Sequence, residues 1–191
     1  MHMHDEVEPT RHGEGAQSLL DDVLKPYKPD CRYLKSASLE YTDDALSSLT
    51  DGASSTGLLK AWGQFSIPDS CYIAATGHFN AVEYNICYNQ LAYYLLAECI
   101  HRHLLAPALD MEYPDYLRRQ LSDCLIVEFS SAFRRPIDSL GFQGMVSFDK
   151  VKAKSKATFI HTSCGFSDGR GGQAAGNVLL AILHASGASR E

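Results

Sequence analysis

Thr76-Gly-His-Phe-Asn-Ala-Val-Glu-Tyr-Asn-Ile-Cys-Tyr-Asn-Gln-Leu-Ala-Tyr-Tyr-Leu-Leu-Ala-Glu-Cys-Ile100 is the stretch on which the reading of this chain turns. After Gly77 no glycine or proline interrupts it. Val82, Ile86, Tyr93, Leu96 and Ile100 recur near helical spacing, while Leu91, Tyr94 and Leu95 fall on the opposite side. The spacing predicts one long helix that is apolar nearly all round, and such a helix must be buried on most sides.

Working outward, the flanks supply what buries it. Upstream, Leu19, Leu20, Val23 and Leu24 have helical spacing and are stopped by Pro26 and Pro29, which predicts a short packing helix between Gly15 and Tyr27. Cys31 to Tyr41 and Leu58 to Ile67 read as strands, separated by a Ser/Asp/Gly-rich stretch, Thr42 to Gly57, that reads as a loop or ragged hairpin. Downstream, a short helix over Asp115 to Asp123 follows Pro114. Strand-like runs then cover Leu125 to Phe133, Phe142 to Val151, Ala157 to Phe166 and Ala174 to Leu183. Strands that come in runs on either side of one helix predict an α+β chain with an antiparallel sheet, not an alternating βαβ fold. A long helix wrapped by a curved antiparallel sheet is the hotdog arrangement. Residues 1–14 read as a disordered leader and residues 15–191 as a single hotdog domain.

The composition fits this picture and excludes other classes. The chain has 191 residues, 45% of them hydrophobic, so it can bury a real core without metal or disulfide staples. Lys+Arg number 17 and Asp+Glu 23, a formal charge of −6, which argues against nucleic acid as the main partner. No run approaches the length of a membrane span, and the first 15 residues carry no apolar run that would make a signal peptide or anchor. The cysteines at 31, 71, 87, 99, 124 and 164 form no CxxC pair. They read as free buried thiols in a cytoplasmic protein.

Several motifs have bland readings that outweigh the sharp ones. Gly165-Phe-Ser-Asp-Gly169 matches the nucleophile elbow of α/β-hydrolases, but no helix follows, so a hairpin turn is expected and Ser167 is not a nucleophile. Cys99 and His103 are spaced like helical metal ligands, yet no third ligand lies nearby and no metal is expected. Lys150, Lys152, Lys154 and Lys156 alternate, so on a strand they would share one face, either as protection of an edge or as a landing patch for an acidic partner. The sharpest chemical feature is Gly77-His78-Phe79-Asn80. Amides at a helix start can bind an oxyanion, Gly77 permits close approach, and His78, Asn80 and Glu83 can donate hydrogen bonds or move a proton.

Cys31-Arg-Tyr-Leu34, Cys71-Tyr-Ile73, Thr76-Gly-His-Phe-Asn-Ala-Val-Glu83, Asn89-Gln-Leu-Ala-Tyr93 and Phe133-Arg134 followed by Pro136 together resemble the FcoT-like thioesterase family of hotdog proteins. That family includes long-chain acyl-CoA thioesterases and enzymes of isonitrile lipopeptide biosynthesis that add glycine across a (2E)-enoyl-acyl-carrier-protein. The resemblance implies His78, Asn80, Glu83 and Tyr72 as catalytic candidates. It implies Gly77, Tyr33, Asn89, Tyr93, Arg134 and Arg32 as substrate-binding ones, either arginine being able to take the carboxylate of glycine bidentately. No cofactor is expected beyond the phosphopantetheine carried on the substrate. The implied partners are an acyl carrier protein bearing a 2-enoyl chain, glycine, and further copies of the chain, at least as a dimer. Glycine addition to the enoyl thioester is the expected activity. Acyl thioester hydrolysis and a non-catalytic carrier-binding module are the alternatives.

Overall fold

The computed structural model describes residues 11–14, 17–50, 59–74 and 77–184. Its elements are β1 (Arg11–Glu14), α1 (Gln17–Leu24), β2 (Leu34–Tyr41), α2 (Asp43–Thr50), β3 (Leu59–Phe65), α3 (Ala81–His101), α4 (Tyr113–Asp123), β4 (Cys124–Arg135), β5 (Phe142–Ala153), β6 (Ala157–Ser167) and β7 (Gln173–Leu183). The strands form one antiparallel sheet in the order β1-β2-β3-β5-β6-β7-β4. This is the hotdog arrangement: α3 is the buried axis, and Leu91, Leu95, Leu96 and Ile100 have essentially no exposure.

Two expectations need correction. The segment read as the end of a disordered leader forms β1, in register with β2 from Arg11↔Tyr41 to Glu14↔Ser38; residues 1–10 lie outside the described residues. The stretch read as a loop contains α2. Thr42 caps it by accepting from the Ala45 amide, Asp43 and Asp44 lie in its first turn, and Ala45 and Leu49 are buried. A Ser/Asp-rich composition suggested a loop, but Thr followed by two acids is also how a helix begins.

Alternation along each strand sorts the sheet into two faces. Ala61, Phe65, Val146, Phe148, Ile160, Cys164, Phe166, Val178 and Leu180 point toward α3. Gly63 and Gly144, opposite one another in the β3–β5 register, make room for the aromatic cluster on that side. A Cβ on Gly63 would lie 2.6 Å from Leu34, and one on Gly144 2.6 Å from Phe166. Trp62, Gln143, Met145, Gly165, Gln173 and Ala175 belong to the outer face.

The β6–β7 connection is the expected hairpin turn, with Gly169 and Gly171 at φ 71° and 110°. Asp168 holds it by accepting from the amides of Asp138, Arg170 and Gly172. Backbone hydrogen bonds to Asp168, and those together with Arg170 at Asp138, hold both carboxyls below the ordinary 3.8. A lowered native pKa contributes stability that is present above the ordinary value and lost as pH falls through the native one. Melting temperature is therefore expected to fall as pH drops below about 4, and to do so less steeply in Asp168→Asn.

Candidate active site

The start of α3 is fixed from three directions. Phe79 is 1% exposed, with ring centroids 4.8 Å from Phe142, 5.2 Å from Phe166, 5.9 Å from Tyr84 and 6.3 Å from Phe133. Its amide donates to the carbonyl of Ile137 at 3.2 Å. Asn80 then closes a capping box: its Oδ1 accepts from the amides of Val82 (2.9 Å) and Glu83 (3.3 Å), while its own amide donates to Glu83 Oε2 (3.2 Å).

The third direction is the loop before α3. The Tyr72 hydroxyl donates to Asn80 Oδ1 at 2.8 Å, and Tyr72 is otherwise half-exposed. Its neighbour Cys71 is disulfide-bonded to Cys31 and donates its amide to the Tyr33 hydroxyl at 2.9 Å. The Cys31–Tyr33 segment is in turn clamped to α3 by Gln90, which donates to the Cys31 carbonyl and accepts from the amides of Tyr33 and Leu34. The restraints therefore form a closed circuit, from α3 through Gln90, Cys31, Cys71 and Tyr72 back to Asn80 on α3. Burial raises the Tyr33 hydroxyl above its ordinary value, the Cys71 amide opposes that rise, and the nearby Glu83 carboxylate adds to it.

The disulfide corrects the expectation of six free thiols; Cys87, Cys99, Cys124 and Cys164 are the free ones. Forty residues separate the partners, and spacing along the chain gave no hint that the turn before β2 and the loop before α3 meet there. The double variant Cys31→Ser/Cys71→Ser is expected to lose about 2–4 kcal/mol of stability, measurable by denaturant unfolding under non-reducing conditions.

The cap also changes the expected oxyanion site. Among the first three helical amides, those of Val82 and Glu83 are taken by Asn80, which leaves the Ala81 N–H for a ligand. Asn80 Oδ1 is engaged by three donors, so any hydrogen bond its side chain gives to a substrate comes from Nδ2. Glu83 is 2% exposed and holds the Asn80 amide, so it positions the cap and is turned away from solvent. Gly77, at φ 78°, and His78 are exposed beside the cap.

The remaining candidates separate. Asn89 and Tyr93 share a half-exposed stripe of α3 with Val82, Asn85 and Ile86. On another face of α3, Tyr84 meets the rings of Phe129 and Phe133 of β4 at 5.7 and 5.5 Å, and these two are themselves 37% and 43% exposed. The Arg32 guanidinium is committed to the carbonyls of Tyr27 and Lys25. Arg134 lines a 310 Å³ cavity with Trp62, Gln143, Met145 and Gly165, on the outer face and thus across the sheet from Phe79. Neither arginine is brought to Asn80 within one chain. Cys99 and His103 do not share a helical face, since the helix ends at His101 and His103 has φ 55°. Only Lys150 and Lys152 of the four lysines lie on a strand; Lys154 and Lys156 fall in the β5–β6 turn.

The chain is thus an α+β hotdog protein with Tyr72 hydrogen-bonded to Asn80 at the start of its central helix. The model of the FcoT-like thioesterase domain matches residues 22–182, and this chain belongs to that family. It is 38% identical over 173 residues, 88% of this chain and 97% of the relative, to a (2E)-enoyl-[ACP] glycyltransferase of Streptomyces coeruleorubidus. Proteins of the same name from Mycobacterium bovis and Mycobacterium marinum are each 34% identical over 88% of this chain and 87% of the relative.

Proposed function

We propose that the protein catalyses conjugate addition of glycine to a (2E)-enoyl thioester borne on an acyl carrier protein, giving a 3-[(carboxymethyl)amino]acyl thioester. The observation that carries this reading is the Tyr72–Asn80 pair at the start of α3, in a chain 34–38% identical to named enoyl-carrier glycyltransferases. In the addition, the amine lone pair forms the N–C3 bond while the C2=C3 π electrons move onto the thioester oxygen. Asn80 Nδ2 and the Ala81 N–H are the donors we assign to that oxygen, with the Tyr72 hydroxyl orienting the Asn80 amide by donating to its Oδ1, so they stabilise charge that develops only in the transition state. His78 takes the proton from the amine and a proton is returned to C2. The positive end of α3 favours the carboxylate of glycine.

The acyl tail and the second copy are assigned to one surface. β4 is an edge strand with Leu125, Ile126, Val127, Phe129 and Phe133 exposed, a condition that single chains ordinarily avoid. Two copies paired along β4 would cover these side chains and enclose the Val82–Ile86–Asn89–Tyr93 stripe as an apolar path leading from Asn80; sedimentation is expected to show a dimer. In kinetic tests the rate should saturate in glycine with an enoyl carrier thioester, and the saturated acyl counterpart should be inert. Equal turnover of both acyl groups without glycine would assign the protein to hydrolysis instead.

A further inference from the structure

We infer that the acidic carrier protein docks on Arg134 and Arg135, on the outer face of the end of β4 whose backbone meets the start of α3, and not on the lysine-rich β5–β6 hairpin. This rests on the carrier-dependent reading above. The chain from Phe133 to Ile137 meets the start of α3 at two points: the Phe133 ring lies tilted against Phe79 with centroids 6.3 Å apart, and the Ile137 carbonyl accepts the Phe79 amide. Arg134 and Arg135 lie between these two contacts and are exposed.

Among the arginines whose side chains are described, they are also the ones without a carboxylate or carbonyl partner. Among the described residues, Arg102, Arg118, Arg119 and Arg170 are paired with carboxylates, and Arg32 is held by backbone carbonyls. Neither Arg134 nor Arg135 has such a partner. The nearby carboxylates are already occupied, Asp138 by Arg170 and the Leu140 amide, and Asp168 by three backbone amides. The loop holding Asp168 packs on this segment; a Cβ on Gly171 would lie 3.5 Å from Arg135 Nη1. The result is two adjacent, exposed arginines at the end of β4 that meets the start of α3, in a protein whose formal charge is −6. Guanidinium groups pair bidentately with carboxylates and with phosphate, the two anionic groups that a carrier and its pantetheine arm present.

Geometry excludes the lysines as the docking point for this site. β5 begins beside Phe79 at Phe142 and ends in the lysine hairpin, where Thr158 donates to the Ala108 carbonyl beyond the end of α3. A 21-residue helix is about 30 Å long, whereas a pantetheine arm has fewer chain atoms than six extended residues and reaches at most about 20 Å.

The test compares Arg134→Glu/Arg135→Glu with Lys152→Glu/Lys154→Glu. Each is assayed for glycine addition to one enoyl group presented either on the carrier protein or as its N-acetylcysteamine thioester, which has neither carrier nor phosphate. Arginine reversal should lower kcat/KM on the carrier substrate by about 10²-fold, abolish its salt dependence, and leave the small thioester within about twofold. Lysine reversal should change both by less than about threefold. Equal loss on both substrates, no loss, or a larger loss from the lysine variant would overturn the assignment. Should the native protein turn over neither substrate, the catalytic reading fails by itself, and docking is decided by titrating holo-carrier protein. Binding weakened only in the arginine variant supports the surface. Binding that is absent, or unchanged in that variant, overturns it.

Discussion

Asn80→Ala should lower kcat/KM for glycine addition by about 10²–10³-fold, the usual effect of losing one preorganised oxyanion donor. The same substitution removes a helix cap and should cost about 1 kcal/mol of stability, so the alanine variant alone does not separate the two roles. Asn80→Asp does. An aspartate keeps the oxygen that accepts from Val82, Glu83 and Tyr72 but has no Nδ2 to donate, and it adds negative charge where the enolate forms. We expect its melting temperature to match the native protein while its activity falls at least as far as that of the alanine variant. An active Asn80→Asp enzyme would reduce Asn80 to a structural cap.

Gln90→Leu is expected to give the largest loss of stability. Gln90 has no exposure, and its side chain satisfies one carbonyl and two amides of the segment that leads into β2. Leucine would leave these backbone groups buried and unpaired, at about 1–3 kcal/mol each before relaxation. A net loss of about 3–5 kcal/mol, or on the order of 10 °C in melting temperature, should appear in thermal unfolding. Because the same segment anchors Cys31 and Tyr33, and through them Tyr72, kcat should fall below what the folded fraction accounts for. A stable Gln90→Leu protein with native kcat would break the circuit described above.

The sequence revealed the axis of this fold because α3 is long, uninterrupted and apolar on nearly every side, and the strands around it alternate. Residues 43–50 were less legible, since Thr, Asp and Ser serve equally in loops and at helix starts. At the site, Asn80-Ala-Val-Glu83 carried a signal that could have been read further. It is the capping-box spacing, and it implies that two of the three helix-start amides, together with the Glu83 carboxylate, are spent on the helix itself. The Cys31–Cys71 bond was invisible because only tertiary structure brings those positions together. The face chosen by Arg134 was hidden for a different reason. The β4–β7 register shifts between Phe133 and Arg135, so alternation counted along the strand does not say on which side of the sheet Arg134 lies.

Addition of glycine with the thioester retained can be read by intact-protein mass spectrometry of the carrier. A 2-enoyl carrier protein is incubated with the enzyme and isotopically labelled glycine, and the carrier is weighed before any workup that would cleave its thioester. The carrier should become heavier by one labelled glycine, with the acyl chain still attached, and should not change when glycine is left out. A carrier stripped to its free pantetheine thiol at the same rate with and without glycine would contradict it.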